Sequence, residues 1–338
     1  MRIGFNPQKD KEKNKVKFFH QIVIPVYIPN QEGYFSDSFT ILEYCLNSLF
    51  KTIHDKTFIT IVNNGSCEEV VNYLQKLYNE NKIHELTHTT NIGYVNAMLK
   101  GIVGHNFPLV TTADADVLFL DNWQTETYNV FEAFPKTGAI CPSPSSKTLK
   151  FYSYNLFFDC FFSKKLLFSP SKNPSALEVF AKSIGNEAFY NKYHLEKYLT
   201  ISNKKVKAVV GAGHYVVTYN GNVFEEIKQK HTDFVLGGGS DDILDKPVVE
   251  KGYWRLSTED NFAYHMGNVA EPWMEECVQA LQDQSHIKVE LPKLRKIDNL
   301  KFFNTIKRMI FSKIIFRKSI WILFLRYKGL NKEAAKNY

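Results

Sequence analysis

Leu109-Val110-Thr111-Thr112-Ala113-Asp114-Ala115-Asp116 joins a run of strand-forming residues to two carboxylates separated by one small residue. In an extended chain residues i and i+2 point the same way, so Asp114 and Asp116 project to one side where the strand ends. Upstream, two further β-branched runs, Ile22-Val23-Ile24 and Phe58-Ile59-Thr60-Ile61-Val62, alternate with stretches of helical spacing. The first of these places Phe39, Leu42, Leu46, Leu49 and Ile53 at steps of three and four. The second opens at Ser66 with Glu69 three residues on, which reads as a capping box. A third runs from Tyr94 through Ala97, Met98 and Ile102, and Asp121 with Gln124 reads as the cap of another helix. Strand followed by helix, repeated from residue 18 to about 142, predicts an α/β fold with a mainly parallel sheet and helices on both faces. Ligands of such sheets sit at the carboxyl ends of the strands, here after Ile24, Val62 and Thr112.

The chain has 338 residues, of which 44% are hydrophobic and 23% charged, enough apolar material to exclude a disordered or collagen-like chain. Its five cysteines are scattered, with no Cys-x-x-Cys pair, and read as reduced thiols of a cytoplasmic protein. The polar stretch Met1 to Lys17 lacks the apolar core of a secretory signal. Net charge is +7, but eight basic residues and no acidic one fall between Asn299 and Lys328. Without them the balance is 34 minus 35, so the body is nearly neutral and a diffuse nucleic-acid-binding surface is excluded. In that tail Lys301, Thr305, Arg308, Ser312 and Ser319 fall on one side of a helix, with Phe303, Ile306, Ile310, Ile314, Trp321 and Phe324 largely opposite. Its longest uncharged apolar run, Ile320 to Leu325, is far too short to span a bilayer. Residues 300–328 therefore predict an amphipathic helix on an anionic membrane surface. Packing on its own domain or on a partner chain, as in a homodimer, is the alternative.

Two carboxylates held together repel unless a cation lies beside them, and oxygen sites of this kind suit Mn²⁺ or Mg²⁺ with room left for phosphate oxygens. The plainer reading is a pair of turn aspartates. Beyond Pro142 the chain is aromatic and Pro-punctuated, then shows a strand signal at Val206 to Thr218. A loop, Gly237-Gly238-Gly239-Ser240, runs into Asp241, Asp242 and Asp245. No Walker motif, His-Glu-x-x-His or Gly-x-Ser-x-Gly appears, and Gly211-Ala212-Gly213 is a poor dinucleotide fingerprint.

Taken together, residues 18–270 resemble the family 2 glycosyltransferases of GT-A fold. Ile24-Pro25-Val26-Tyr27 resembles the family's first-strand signature, which implies that Pro25, Val26 and Tyr27 form a nucleotide pocket. Asn63-Asn64-Gly65-Ser66 resembles the turn after the second strand, with Asn63 where most members place an acidic residue facing the base. Asn91-Ile92-Gly93-Tyr94, followed by Ala97 and Gly101, resembles the segment before the metal motif and assigns Asn91 and Gly93 to the donor site. The resemblance implies that Asp114 and Asp116 hold the metal and the donor diphosphate. His265, in Tyr264-His265-Met266-Gly267-Asn268, is a further metal ligand or else a hydrogen-bonded core or phosphate-contacting histidine. Asp241-Asp242 and the following Lys251-Gly252-Tyr253-Trp254-Arg255 resemble the acceptor side: Asp242 as general base, Asp241 orienting the acceptor, Trp254 a sugar platform or a core residue. His214, in a strand-like run, is left outside the site.

The expected layout is a polar segment 1–17, a GT-A domain 18–270 with a nucleotide-sugar half (18–142) and an acceptor half (143–270), and a helical region 271–338. The expected activity is metal-dependent, inverting transfer from a nucleotide-diphosphate sugar, a UDP-sugar foremost, to a saccharide or lipid-linked acceptor in surface polysaccharide or glycan assembly. Two rivals are weighed. A sugar-nucleotide nucleotidyltransferase should carry a Gly-rich, Lys/Arg-bearing loop after the first strand, and Pro25 to Asn30 has none. A non-catalytic, membrane-recruited binding module would keep the pocket and tolerate loss of Asp242.

Overall fold

The computed structural model describes residues 4–7, 9–11, 17–225, 227, 231–297 and 301–338. Strands β1 (His20–Val26), β2 (Thr57–Asn64), β3 (Glu85–Thr89) and β4 (Leu109–Ala113) alternate with helices α1 (Ser38–Thr52), α2 (Glu68–Asn79) and α3 (Tyr94–Ile102). They are followed by β5 (Val117–Phe119), α4 (Trp123–Ala133), β6 (Thr137–Cys141), α5 (Tyr154–Cys160), β7 (Leu166–Pro170), α6 (Pro174–Ser183) and α7 (Lys192–Glu196). Next come β8 (Lys197–Ser202), β9 (Lys207–Val210), β10 (Val216–Asn220), a π-helical turn over Asp241–Asp245, α8 (Lys246–Glu250), β11 (Trp254–Thr258), β12 (Ala263–His265) and α9 (Pro272–Ala280). The chain closes with α10 (Lys301–Ile310), a second π turn (Phe311–Ile315), α11 (Lys318–Tyr327) and α12 (Lys332–Asn337).

One sheet in the order β3-β2-β1-β4-β10-β6-β11-β9-β8-β7 crosses the molecule, and β12 pairs with β5 beside it. The expected strand–helix alternation makes the parallel half, β3-β2-β1-β4. The period-2 alternation of β1 divides the core: Ile22 and Ile24 pack with Leu42 and Leu46 of α1 and Leu74 of α2, while Val23 packs with Val95 and Met98 of α3 on the other face. Helix α3 lies so close to the sheet that a Cβ on Gly101 would sit 2.4 Å from Val23 Cγ1. Beyond β4 the sheet turns mixed, because β10 runs antiparallel to both β4 and β6. The strand signal at 206–218 is two strands, not one: β9 and β10 are divided at Gly211, whose φ of +98° turns the chain and where a Cβ would strike Thr148.

Two predicted caps differ from the structure. Helix α2 starts at Glu68 with Cys67 before it, and Ser66 instead donates to Val26 O (3.2 Å) and accepts from Ile28 N (3.1 Å). The serine ties the turn after β2 to the end of β1, so its oxygen is not free to cap. Helix α4 starts at Trp123 after a left-handed Asn122, and Asp121 accepts from Gln282 N (3.3 Å).

The tail is also corrected. It is not one amphipathic helix: the π turn and an extended Arg317 (ψ 134°) separate α10 from α11. Phe311, Trp321, Phe324 and Leu325 are buried in the domain core, with Phe157 of α5 meeting the first three rings at 6.0, 5.6 and 5.4 Å. Lys328, counted among the basic residues, is buried with its ammonium donating to Ser163 O (3.0 Å). An amphipathic stripe covers whatever apolar surface it can reach, and here β-sheet and α5 offer one within the chain. Residue 300 and the side chains of Lys301 to Phe303 lie outside the described set. Among the described residues no helix is long and apolar enough to cross a membrane.

Truncating Trp321 or Phe324 to Ala should therefore cost about 3–5 kcal/mol, the range for large aromatic side chains in cores. Urea denaturation checks this; a loss within about 0.5 kcal/mol would mark a surface residue instead.

Candidate active site

Strand β4 ends at Ala113, and the next amide, Asp114 N, donates to Tyr215 O (2.8 Å) just before β10 begins. Two residues on, β5 pairs with β12 in a register that sets His265 opposite Val117, and Met266 N donates to Asp116 O (2.8 Å). These two anchors bring Asp114, Asp116 and His265 together, with one ligand atom from each within 4.8 Å of the others. His265 Nε2 stands 3.4 Å from Asp116 Oδ2. Its Nδ1 lies 2.8 Å from Ser183 Oγ, and that hydroxyl already donates to Phe180 O (2.8 Å). The serine oxygen must then accept from Nδ1–H, which leaves the Nε2 lone pair facing the carboxylates. Burial lowers the His265 pKa against the pull of Asp114, favouring the neutral ring that a metal binds.

Burial raises the pKa of both carboxyls to about 7, and for Asp114 the charge of Asp116 adds to it. Asp114 Oδ1 accepts from the Tyr94 hydroxyl, which pulls the other way. Asp116 Oδ1 is buried with no hydrogen-bond partner. Two carboxylates and an imidazole lone pair converging within 4.8 Å are a donor set that fits a divalent cation.

The carboxyl edge of the parallel half borders this centre. Val26 is buried at the end of β1, while Tyr27 is exposed and meets Phe35 edge-on at 6.0 Å. Asn63 is buried with its amide engaged in its own turn, accepting from Ser66 N (3.0 Å) and lying 2.9 Å from His88 Nδ1. Asn64 accepts from Ile92 N (2.9 Å), and Asn91 accepts from Gly93 N (3.0 Å), so three asparagines lock the two strand-end turns together. Gly93 has φ +88°, and a Cβ there would meet Phe234 O at 2.6 Å. The loop bearing Phe234 is tied down by Tyr94 N to Val235 O (2.8 Å) and by two bonds between Asn96 and Thr232.

A second charged cluster lies next to the first. Asp245, on the π turn, is fully buried and bound by Arg255 Nη2 (2.8 Å) and the Tyr219 hydroxyl (3.2 Å). Arg255 also donates to Phe151 O and Ala212 O, both at 3.1 Å. His214 has Nδ1 2.9 Å from Asp245 Oδ2 and Nε2 3.4 Å from Asp241 Oδ1. It directly precedes Tyr215, the residue that pins Asp114, and its charge acts on the Asp114 carboxyl. Asp242 is 58% exposed, 3.1 Å from Lys246 Nζ, and accepts from the Tyr152 hydroxyl at 3.4 Å. Tyr152 has φ +51°, a strained backbone for an aromatic residue and one that recurs at functional sites.

The structure thus brings Asp114, Asp116 and His265 together, links Asp241 to this edge through His214 with Asp242 turned toward Lys246 and Tyr152, and lines Pro25, Val26, Tyr27, Asn63, Asn91 and Gly93 along the same edge. It does not bring Trp254 there. Strand β11 is parallel to β6, and Trp254 pairs with Thr137 at the first residue of both, on the opposite edge. Its ring is buried in the core, with Nε1 donating to Asp159 (2.9 Å), so the sugar-platform reading is corrected to the core one. Reading the sequence missed His214, Tyr94, Ser183 and the Asp245–Arg255 pair. A lone arginine inside the strand-forming run Trp254 to Thr258 was the available signal, since a buried guanidinium needs a carboxylate.

In comparison with known proteins, the model of the family described as "Glycosyl transferase family 2" matches residues 22–199. No curated protein sequence matches significantly. Among solved structures, the mannosyltransferase PcManGT from Pyrobaculum calidifontis, in complex with GDP-Man and Mn²⁺, is similar at 14% identity and TM-score 0.43 over 76% of this chain. This chain spans 59% of that protein's length. S. aureus TarS 1-349 in complex with UDP-GlcNAc is similar at 10% identity and TM-score 0.42, over 94% of this chain and 69% of that one. Likenesses this distant do not bear on chemistry. The family match spans more than half of the chain, which belongs to the family 2 glycosyltransferases.

Proposed function

We propose that the protein is a metal-dependent, inverting glycosyltransferase that moves a sugar from a nucleotide-diphosphate donor, a UDP-sugar foremost, to a hydroxyl of a saccharide or lipid-linked acceptor. The observation that carries this reading is the convergence of Asp114, Asp116 and His265 at the strand ends. Mn²⁺ or Mg²⁺ held there supplies positive charge against the developing charge of the leaving diphosphate. Asp242 takes the proton of the acceptor hydroxyl, with Asp241 orienting that hydroxyl. As the acceptor oxygen bonds the anomeric carbon, the bond from that carbon to the diphosphate oxygen breaks and its electron pair leaves with the diphosphate. One displacement inverts the anomeric centre.

Surface polysaccharide or glycan assembly on the cytoplasmic side of a membrane is the setting we infer. With Phe311, Trp321, Phe324 and Leu325 in the core, the charged part of the membrane contact uses the exposed Arg308, Lys313, Arg317, Lys318 and Arg326. Each contributes on the order of 1 kcal/mol at an anionic surface. Replacing these five by Gln should release the protein from phosphatidylserine-containing vesicles in co-sedimentation; continued binding of the variant would remove the tail from this role.

Asp242→Asn should lower turnover about 10²- to 10⁴-fold, the range for general base catalysis, with nucleotide-sugar affinity unchanged. Unchanged turnover would take the base from this residue. Asp116→Ala should abolish the Mn²⁺-dependent part of nucleotide binding in calorimetry with and without the metal. Because burial raises the pKa of both carboxyls of the pair, Mn²⁺ competes with protons for them, so its affinity should rise as the pH is raised. A pH-independent Mn²⁺ affinity would contradict that arrangement.

A further inference from the structure

His214 sits between two aspartates. Both of its nitrogens face carboxylate oxygens, Asp245 Oδ2 at 2.9 Å and Asp241 Oδ1 at 3.4 Å. A neutral imidazole donates from one nitrogen only, and an ionised carboxylate accepts only, so with both aspartates ionised the ring meets them as an imidazolium with two N–H donors. The inner partner cannot turn away: Asp245 is fully buried, and its other oxygen is held by Arg255 and Tyr219. The ring is also flanked by Phe151, edge-on at 5.1 Å, and its outer side is open, with 48% of the side chain exposed.

We propose that His214 is a positioning residue of the transfer, an imidazolium clamp that bonds Asp245 through Nδ1 and Asp241 through Nε2 and so holds Asp241 ionised and aimed at the acceptor hydroxyl. This rests on the transferase reading above and goes beyond it by assigning a residue outside the metal centre and the acidic pair. The charged groups around the ring are Asp241 and Asp245 on the π turn, Arg255 on β11 and Asp114 at the end of β4. Burial pulls the His214 pKa down, but the hydrogen bond and charge of Asp245, with Asp241, outweigh burial and Arg255, and the net direction is up. For Asp241 burial raises the pKa and His214 is the first group that opposes it. The effect of the clamp on Asp241 therefore has a defined sign: removing the cation makes Asp241 harder to ionise.

The test uses the intact protein with Mn²⁺ and a panel of UDP- and GDP-sugars, water serving as acceptor and release of nucleoside diphosphate as the readout. His214→Gln keeps a side chain that can donate to Asp245 but carries no charge. The variant should bind the nucleotide sugar as the wild type does, hydrolyse it about 10- to 100-fold more slowly, as misplacement of a positioned group does, move the acidic limb of its pH profile to higher pH and lose the alkaline limb that His214 sets. Ring ¹⁵N shifts of wild-type His214 should report the imidazolium persisting above the ordinary histidine midpoint of about 6.5. A neutral ring at that pH, or a variant with wild-type rate and limbs, overturns the clamp while the transferase reading stands. A wild-type protein that binds no nucleotide sugar with or without Mn²⁺ overturns the transferase reading and the clamp with it.

Discussion

Two carboxylates on one side of a strand end, shielded from water, cannot both carry charge unless a cation meets them. Asp114 and Asp116 are in that position, and much of the surrounding architecture serves to keep them there. The Asp114 amide is bonded to the chain entering β10, the Asp116 carbonyl to the chain leaving β12, and His265 arrives on β12 with its ring already turned by Ser183. All of these anchors are bonds within the chain. The site is therefore preorganised by backbone pairing, and the repulsion between the two carboxyls is set against the stability of the sheet that imposes it.

The same pairing explains how the two halves of the chain share one centre. Were β10 parallel to β4, the chain entering it would lie at the amino edge, far from Asp114. Running antiparallel, β10 begins where β4 ends, so that His214 and Tyr215 reach the carboxyl edge immediately beside the carboxylate pair. Its neighbour β6 is antiparallel to it in turn, and β11 is parallel to β6. That order returns the sheet to its original direction and carries Arg255, one residue into β11, to the buried side of Asp245.

How much of this was legible in the sequence follows the range of the interaction involved. The spacing of Phe39, Leu42, Leu46 and Leu49 and the run Ile22 to Ile24 express local periodicity, and their elements appear where that periodicity places them, whereas Asp114 to Asp116 form a turn between β4 and β5 rather than the extended segment expected. Trp254 belongs to the edge it does because β11 inserts between β6 and β9, a pairing no local pattern encodes. The stripe of Trp321 and Phe324 was readable, but amphipathicity does not name the surface that covers it, and α5 competes with a membrane for the same face. Ser66 has the identity of a cap and the contacts of a strap, because the end of β1 comes within reach of its hydroxyl. His214 was hidden by the opposite effect: a strand-like context suppressed a residue whose importance comes from Asp245, far along the chain.

The two charged clusters look alike on paper, since each holds a histidine and two aspartates within ligand distance. Their charge balance separates them. Around His214 the carboxylates are answered from within the chain, Asp245 by Arg255 and the imidazolium, Asp241 by the same imidazolium, and Asp242 by Lys246. Bringing a dication there would set it against two cations already in place. Around His265 the partners are a neutral imidazole, a tyrosine hydroxyl and a serine, none of which cancels charge. Only this cluster has a net negative charge to be met from outside. The same geometric test that finds both sites therefore selects one of them for the metal and leaves the other to hold its own aspartate in place.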